Sequence, residues 1–565
     1  MLNRVSVTPV ELFLRRTLVL KYSQQHPNKF SLLSFAAMEQ ATGYRFSKVQ
    51  VYILFAVVIF ILFFKLNSPP IYILDEARNA QAGREMFQKK DYIVPTFNGE
   101  LRSHKPVLHY WFMQPAYALF GENAFAARFF SAVMGFLTIL ITFLYTRKWL
   151  GQSAAFCSAL ALGLSTHFLF EFRLAVPDPY LIFFSTLGTF AAFAYLQKGT
   201  RSQLYLAAAA FALASLAKGP VAIGLPGIAL LIWIIWKKKW NRVFDWSLLL
   251  AAIIFLVVAL PWYVAVHKAT NGQWTQEFFF QHNLNRFSEE MEGHGGIFLI
   301  TIAIVLIGML PFTAFLGEII KKRKTVFQYE LVQFAAIVTL VFTGFYCVSS
   351  TKLPNYPMPC YPFFAVVLGS FISELLSNRP TSKKYPLWIV LFIMIAVPVA
   401  GYFAIQQEVE AKHVSWVAWT LLIGAWMFVS FLVANRKQLD WFKRIMILAI
   451  SYTFFNIVFL HVVYPRLYEQ NPVSKTINLV KQQQHIYAYQ IYNPGYNFYL
   501  NTNIKEYPTL DSIKFKLDQY PDATIISRKE FADTLKTLNL QVIAEHHDIF
   551  ELPTTIILKR NAEKP

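Results

Sequence analysis

The chain has 565 residues, of which 56% are hydrophobic, and a formal net charge of +20. Soluble domains contain about 45–50% apolar residues, whereas this sequence repeats apolar runs of about 20 residues, each long enough to cross a hydrocarbon core of ~30 Å. Composition therefore excludes an ordinary soluble domain and predicts a mainly α-helical polytopic membrane protein. Three cysteines lie in or beside apolar segments without metal-ligand spacing, which argues against a disulfide framework or a cysteine zinc site: Cys157, Cys347 and Cys360.

The N-terminal residues 1–48 are basic and weakly amphipathic, and they lack the compact order of a signal peptide. We interpret them as a cytoplasmic segment. A transmembrane domain is predicted over residues 49–464. Its thirteen predicted spans are about 50–66, 124–146, 152–171, 178–197, 203–217, 219–236, 245–267, 296–318, 329–348, 355–376, 386–405, 414–434 and 441–464.

Basic residues alternate between the predicted connections. Every second connection carries two to four Lys or Arg residues, and the connections between them carry about one. This positive-inside pattern predicts that the basic connections are cytoplasmic, so much of the net charge reflects topology and not nucleic-acid binding. The loop 67–108, the connection with Asp178, the loop 268–295 and the C-terminus are then predicted to face the periplasm.

The polar stretch 75–111 contains more structure than a simple connection needs. Its first part, DEARNAQAGREMFQ, predicts a helix whose acidic first turn, Asp75 and Glu76, suits the helix dipole. Asn98 and Gly99 predict a turn, and Pro106 predicts the start of another helix. Long structured loops are usually functional, so we expect this stretch to organise the site.

The composition changes after about residue 465, which predicts a small mixed α/β domain over residues 465–565. Four segments have the pattern of short strands, HIYAYQIY, ATIISR, LQVIAE and TTIILK, and DSIKFKLDQY and RKEFADTLKTL have that of helices. We find no chemical motif in this domain and expect it to have a packing or lid role.

Two aspartates are the candidate catalytic residues. Asp75 follows the first span, and Asp178 lies between two prolines in RLAVPDPYL. Considered alone, each aspartate is better explained as a helix N-cap than as a catalyst. Their shared position at the outer interface favours function, because carboxylates close to spans are costly and usually functional.

Several cations lie in connections on the same side as these aspartates. They predict a binding site for a lipid phosphate against the membrane. The candidates are Arg78, Lys105, Arg286 and Lys352, and Lys218 has a similar setting in AKGP.

A divalent metal is a further, open hypothesis. Its candidate ligands are His282 in the loop 268–295, with Glu76 and His104 in the first loop. These residues have no fixed ligand spacing, so the pattern does not decide whether a metal binds. No nucleotide cofactor is expected.

Carboxylates beside phosphate-binding cations suit the transfer of a group from a polyprenyl phosphate. The phosphate leaves as an anion, and its developing charge needs Lys, Arg or a metal to stabilise it. The acceptor needs orienting and, for a hydroxyl, deprotonating, which suits an aspartate. A glycosidase pair divides the work differently, because one carboxyl group must act as an acid.

The chain resembles the bacterial aminoarabinose transferase and protein O-mannosyltransferase group of the GT-C superfamily, which are polytopic enzymes using polyprenyl-phosphate sugars. The matching stretches run in order from about residue 70 to 365: DEARNAQAGREM, VPTFNGELRSHKPVLHYW, LFGENAFAARFFSA, the Asp178 connection, AKGPVAIGLP, FFFQHNLNRF and TKLPNYPMPCYP. The thirteen predicted spans and the outer C-terminal domain are similar to the aminoarabinose transferase layout.

The resemblance implies roles for five residues. Asp75 matches the first-loop catalytic aspartate, and Asp178 matches the second acid. Lys105 and Arg286 match ligands of the carrier phosphate, and His282 matches a metal-site histidine.

Two positions depart from the family pattern. His104 stands where the family often has a metal-binding Glu, and Asn79 replaces the usual Tyr after DEAR. The first departure leaves the metal site open, with His104 as a replacement ligand or with no metal needed.

We therefore expect an inverting glycosyltransferase of the bacterial inner membrane with a periplasmic site. It would move a sugar from a polyprenyl phosphate, undecaprenyl phosphate being the expected carrier, to lipid A, another envelope glycan or a protein. The alternative is a transporter or flippase of lipid-linked glycans, for which internal repeats and broken midplane helices are typical. The sequence has no clear repeat, and its acids cluster at the outer interface, which favours the enzyme over the transporter or a non-catalytic scaffold.

Overall fold

The computed structural model describes residues 46–284, 297–377, 383–434 and 440–560, without the side chains of residues 281–284 and 377. The predicted segment 1–48 lies almost wholly outside the described residues. The α-helices are Lys48–Phe63, Leu74–Lys89, Leu108–Phe120, Ala124–Leu164, Thr166–Glu171, Asp178–Lys198, Arg201–Lys218, Val221–Lys237, Ser247–Ala269, Gln273–Gln276, Leu299–Gly308, Leu316–Lys321, Arg323–Val326, Glu330–Val348, Tyr361–Ser377, Tyr385–Gln407, Leu422–Ala434, Trp441–Val458, Tyr464–Tyr468, Pro472–Lys481, Gly495–Leu500, Leu510–Gln519 and Ala532–Lys536.

A bundle of apolar helices forms most of the molecule, which confirms the predicted fold class. In the described part of the chain, eight helices are long and apolar enough to cross a membrane, and one bent pair would make a ninth. The apolar helices Lys48–Phe63 and Val221–Lys237 are shorter. The count of thirteen spans is therefore not confirmed, although helices are present in each of the predicted segments.

Two predicted spans are not continuous helices. In the segment 296–318, one helix ends at Gly308 and the next runs from Phe312 at an angle of 109° to the first. Pro311 lies at this break, where its missing N–H and its ring oppose a continuous helix. In the segment 152–171 the helix ends at Leu164, and Ser165 caps the short helix Thr166–Glu171 through its side chain.

The first long loop has the predicted local structure. Helix Leu74–Lys89 is followed by a short hairpin, β1 (Thr96–Phe97) and β2 (Glu100–Leu101). Asn98 and Gly99 form its turn with φ of 57° and 83°, the left-handed region that Asn and Gly tolerate best. A second helix, Leu108–Phe120, then leads to the next apolar helix.

A five-stranded sheet forms the core of the C-terminal region. Its strands are β3 (Ile486–Tyr489), β4 (Lys505–Tyr507), β5 (Thr524–Arg528), β6 (Leu540–His547) and β7 (Thr554–Arg560). Their order is β4-β3-β5-β7-β6, with β3 parallel to β4 and β5, and β7 antiparallel to β5 and β6. The predicted mixed α/β character is confirmed, and the domain boundary at residue 465 stays a prediction.

One buried ion pair joins the first loop to the bundle. The Arg128 guanidinium binds both Glu76 oxygens at 2.7 and 2.8 Å, and it also donates to the carbonyls of Leu66 and Pro69. The backbone N–H of Ala175 donates to Glu76 Oε1 at 2.9 Å. The loop and the connection before Asp178 therefore lie at the same end of the bundle, where Ile71 and Tyr72 also form hydrogen bonds with the C-terminal residues Tyr499 and Asn493. We call this end the site face.

Candidate active site on the site face

Asp75 lies in the first turn of helix Leu74–Lys89 with an exposed side chain. The N-cap of this helix is Ile73, and the N-cap of helix Asp178–Lys198 is Pro177. Neither aspartate is therefore the N-cap of its helix, so helix capping does not explain why these residues are acidic. Both carboxylates are left for other contacts.

The surroundings of Asp75 contain groups from two other parts of the fold. Its charge acts on His109 and Tyr110 of helix Leu108–Phe120 and on Glu171. Burial lowers the pKa of His109 well below its ordinary value, and the charges of Arg102 and Lys105 lower it further. These effects all favour the neutral form of His109, a residue that the sequence analysis did not identify.

A hydrogen-bonded network holds the base of the first loop. Arg102 donates to Asn79 Oδ1 at 2.9 Å and to the Tyr110 hydroxyl at 3.0 Å. The Trp274 indole N–H donates to the Arg102 carbonyl at 3.1 Å. Asn79, which replaces the family's usual tyrosine, is thus a structural acceptor that joins the two helices of the loop.

Asp178 forms a buried ion pair with Lys218, the last residue of helix Arg201–Lys218. The Lys218 Nζ lies 2.5 Å from Asp178 Oδ1 and 4.6 Å from the centroid of the Tyr356 ring. Burial disfavours the Lys218 ammonium, but Asp178 and its neighbours outweigh that effect, and the pKa of Lys218 is raised. Three separate connections of the bundle, with Asp178, Lys218 and Tyr356, therefore meet at this pair.

Glu171 is a third acid on the site face that sequence reasoning missed. It is buried at the end of helix Thr166–Glu171, where Asn355 forms a hydrogen bond with its side chain and Asp178 and Lys218 act on its charge. Its Oε1 has no hydrogen-bond partner among the described residues. Two carboxyl groups thus share one lysine, an arrangement in which a second ionised carboxylate is costly.

The predicted phosphate ligands are only partly assembled. Lys105 is buried and acts on His109, so it lies within the Asp75 surroundings. Lys352 donates to the Ser349 carbonyl at 2.6 Å. Arg78 interacts instead with Glu506 of β4, whose pKa is raised by burial and by Glu100 against the opposing effect of Arg78. Arg286 lies outside the described residues.

The predicted metal ligands do not form a site within the described parts of the chain. No group of three His, Cys, Asp or Glu side chains suitable for a metal occurs there. Both Glu76 oxygens are used by Arg128 and by the Ala175 N–H, so its geometry is that of a structural anchor. His104 is exposed, and the His282 side chain is outside the description. A metal at His282 stays a prediction, and we derive no step through it.

Comparison with known proteins adds sequence relatives. A family model for dolichyl-phosphate-mannose-protein mannosyltransferase matches residues 104–264. An uncharacterized protein of Aquifex aeolicus is 30% identical over 345 residues, which cover 61% of this chain and 77% of that protein. An undecaprenyl phosphate-alpha-4-amino-4-deoxy-L-arabinose arabinosyl transferase of Pseudomonas aeruginosa is 28% identical over 370 residues, or 64% of this chain and 67% of that enzyme.

Solved structures show the same fold. The crystal structure of ArnT from Cupriavidus metallidurans bound to undecaprenyl phosphate superposes with a TM-score of 0.74 and 19% identity. The match covers 91% of this chain and 98% of the ArnT chain. With the sequence relatives, this identifies a multi-pass membrane protein with the GT-C fold. The chain belongs to the bacterial glycosyltransferase family that contains the aminoarabinose transferases and the protein O-mannosyltransferase-like enzymes.

Proposed function

We propose that this protein transfers a sugar from undecaprenyl phosphate to an envelope acceptor, which is lipid A, another glycan or a protein. The observation that carries the proposal is the meeting of an exposed Asp75, a buried Lys105 and the Asp178–Lys218 pair on one face of a GT-C bundle. The relatives named as undecaprenyl-phosphate aminoarabinose transferases support this donor class.

The transfer breaks the bond between the anomeric carbon and the carrier phosphate oxygen, and the acceptor oxygen forms a bond with that carbon from the opposite side. Inversion follows from a single displacement. The carrier phosphate leaves as an anion and needs no proton. We assign the stabilisation of its charge to Lys105 and Arg286, with Arg78 and Lys352 as secondary candidates.

Asp75 orients the acceptor and accepts its proton when the acceptor is a hydroxyl group. A phosphate acceptor is already ionised, and Asp75 would then only orient it. Asp178 is assigned a positioning role, because its carboxylate already binds Lys218.

The orientation in the membrane is also part of the proposal. The alternating loop charges support a cytoplasmic N-terminus, a periplasmic site face and a periplasmic C-terminal domain in the bacterial inner membrane. A tag after Pro565 should be accessible from the periplasm, and a tag among Lys321–Lys324 should not. A cytoplasmic C-terminal tag would overturn the assigned orientation.

The activity itself is tested in two steps. Deletion of the protein should cause one lipid-linked sugar to accumulate, and mass spectrometry of the extracted lipids identifies it. The purified protein should then transfer that sugar to an acceptor fraction and release undecaprenyl phosphate. Absence of both accumulation and transfer would contradict the proposal.

A further inference from the structure

The C-terminal domain is attached to the first loop by the hairpin turn at Asn98. The Asn98 side-chain amide donates to the Ile504 carbonyl at 2.7 Å, and its oxygen accepts from the Ile504 N–H at 2.8 Å. The Asn497 amide donates to the same oxygen at 2.9 Å. Asn98 thus satisfies the backbone of Ile504, directly before β4, as a neighbouring strand would.

The same hairpin turn is fixed to the Asp75 helix from the other side. Glu85 accepts from the backbone N–H groups of Asn98 and Gly99 at 2.7 and 3.2 Å, and from the Thr96 hydroxyl at 2.7 Å. Glu85 is buried on helix Leu74–Lys89, ten residues after Asp75. The turn therefore connects the helix and the C-terminal domain through hydrogen bonds on both sides.

A second group of contacts joins that helix directly to the short helix Gly495–Leu500. The buried Arg84 donates to the Phe498 carbonyl at 2.7 Å, and its guanidinium carbon lies 4.2 Å from the Phe498 ring centroid. Just before the helix, the Ile71 N–H donates to the Tyr499 hydroxyl at 2.7 Å. Residues 497–504 therefore hold the Asp75 helix at three places: the segment just before it, Arg84 within it, and the hairpin turn that follows it.

We propose that the C-terminal domain positions Asp75 for transfer, and that Asn98 is the positioning residue through which it acts. This inference rests on the proposed function of Asp75. The helix, the segment before it and the hairpin turn after it all bind the C-terminal domain. These bonds fix the position of the helix relative to the domain, so its first turn, which carries Asp75, is in place before the substrates bind. Preorganisation of this kind matters because a misplacement of 1 Å can lower a rate by about 10²-fold.

The test compares two asparagines that both have left-handed backbones. Asn98→Gly removes the three side-chain bonds without backbone strain, and Asn98→Asp retains the shape but loses the bond to the Ile504 carbonyl. Asn271→Gly is the control, because Asn271 has φ of 48° and an exposed side chain. Readouts are turnover and KM for purified undecaprenyl-phosphate sugar, and hydrogen exchange of residues 74–107.

Asn98→Gly should lower kcat by about 10- to 100-fold, leave KM within about twofold and increase exchange in residues 74–107. Asn98→Asp places a carboxylate oxygen against the Ile504 carbonyl and should lower kcat at least as much as Asn98→Gly, and Asn271→Gly should match wild type. Unchanged hydrogen exchange in Asn98→Gly would show that the Asn98 bonds do not fix the loop. Increased exchange with normal kcat would show that fixing the loop is not required for transfer. Either result overturns the inference.

Asn497→Ala provides a second variant if Asn98→Gly fails to fold. It removes one of the three bonds to Asn98, together with the bonds of Asn497 to the Tyr492 hydroxyl and the Thr502 carbonyl. It should show the same changes at smaller size, and wild-type behaviour in both readouts would overturn the inference. If wild-type protein transfers no sugar, the proposed function fails, whereas the exchange comparison still reports on the attachment of the loop.

Discussion

Two buried carboxylate–cation pairs on the site face differ in how completely their charges are satisfied. Glu76 receives two bonds from Arg128 and one from the Ala175 N–H, and Arg128 also donates to backbone carbonyls. Lys218 contacts Asp178 through one oxygen, and the nearby Glu171 retains an oxygen without a partner among the described residues.

This difference distinguishes buried acids that have a structural role from buried acids that belong to the candidate site. A buried pair with every bond satisfied stabilises a joint, and removing one member leaves an uncompensated charge. A buried group with an unsatisfied oxygen needs an explanation, and a site for a substrate is one. We therefore expect substitutions at Glu76 to change stability and substitutions at Asp178 and Glu171, the two acids beside Lys218, to change turnover.

The largest expected effect concerns Asp75, the exposed acid that belongs to neither pair. Asp75→Asn should lower turnover by about 10²–10⁴-fold when the acceptor is a hydroxyl group, because Asn cannot accept the proton. Its thermal stability should equal that of wild type, since Asp75 is exposed and is not the N-cap. The measurement is turnover with purified lipid-linked sugar, alongside melting curves. Wild-type turnover with a hydroxyl acceptor would exclude Asp75 as the base.

Glu76→Gln should give the opposite result. It leaves the Arg128 charge uncompensated in a fully buried position, and breaking such a pair costs about 3–5 kcal/mol. Melting in detergent should show this loss, while the folded fraction retains its turnover. Glu318→Gln, a buried glutamate paired with the exposed Lys321, serves as the control and should lose much less. Lost turnover at normal stability would instead return Glu76 to the metal-binding role that its sequence position suggested.

Substitution of Lys105 tests whether this buried lysine of the first loop binds the carrier phosphate. Lys105→Ala should raise the KM for the lipid-linked donor by about 10- to 100-fold, because a hydrogen bond to a charged group contributes about 1.5–3 kcal/mol. Arg286→Ala should have a similar effect. Lys89→Ala is the control, since this exposed lysine of the first loop binds Thr96 and Glu85. An unchanged KM in both variants would contradict the assigned phosphate site.

The sequence predicts the local structure of this protein better than its contacts. Apolar runs and the Asn98-Gly99 turn are short-range patterns, and the structure confirms the helix, the turn and the four C-terminal strands that were predicted. The fifth strand, β4 (Lys505–Tyr507), was not predicted. The break near Pro311 was missed because the apolar run continues across it without a charged residue.

The site could be predicted only in part. Asp75, Lys105 and Asp178 were found because charges in connections are visible in the sequence. Glu171 was missed because it ends an apolar segment, and Asn98 was interpreted only as a turn residue. The importance of both depends on partners that the fold brings together, such as Ile504, 406 residues away from Asn98.

The smallest single effects are expected at Asp178 and Glu171, and their combination tests the comparison most directly. Asp178→Asn leaves Lys218 beside Glu171, which can ionise and take over as partner, so turnover should fall only about tenfold, the equivalent of about 1.4 kcal/mol. Glu171→Gln should lower turnover by less than tenfold, because Asp178 still pairs with Lys218. Within the described part of the chain, Glu76 is the carboxylate that acts on Arg128, and no second acid there takes the place that Glu171 has beside Lys218.

Combining Asp178→Asn with Glu171→Gln removes both acidic partners of Lys218. Turnover should then fall by more than the product of the two single-variant factors, which corresponds to a coupling free energy of about 0.5–3 kcal/mol. Melting curves separate this from a loss of folded protein, and pairing Asp178→Asn with Glu318→Gln should give additive losses as the control. Additive losses at Asp178 and Glu171 would mean that the two acids do not share Lys218. A loss of stability without a loss of turnover in Asp178→Asn would instead make the Asp178–Lys218 pair a structural joint of the same kind as Glu76–Arg128.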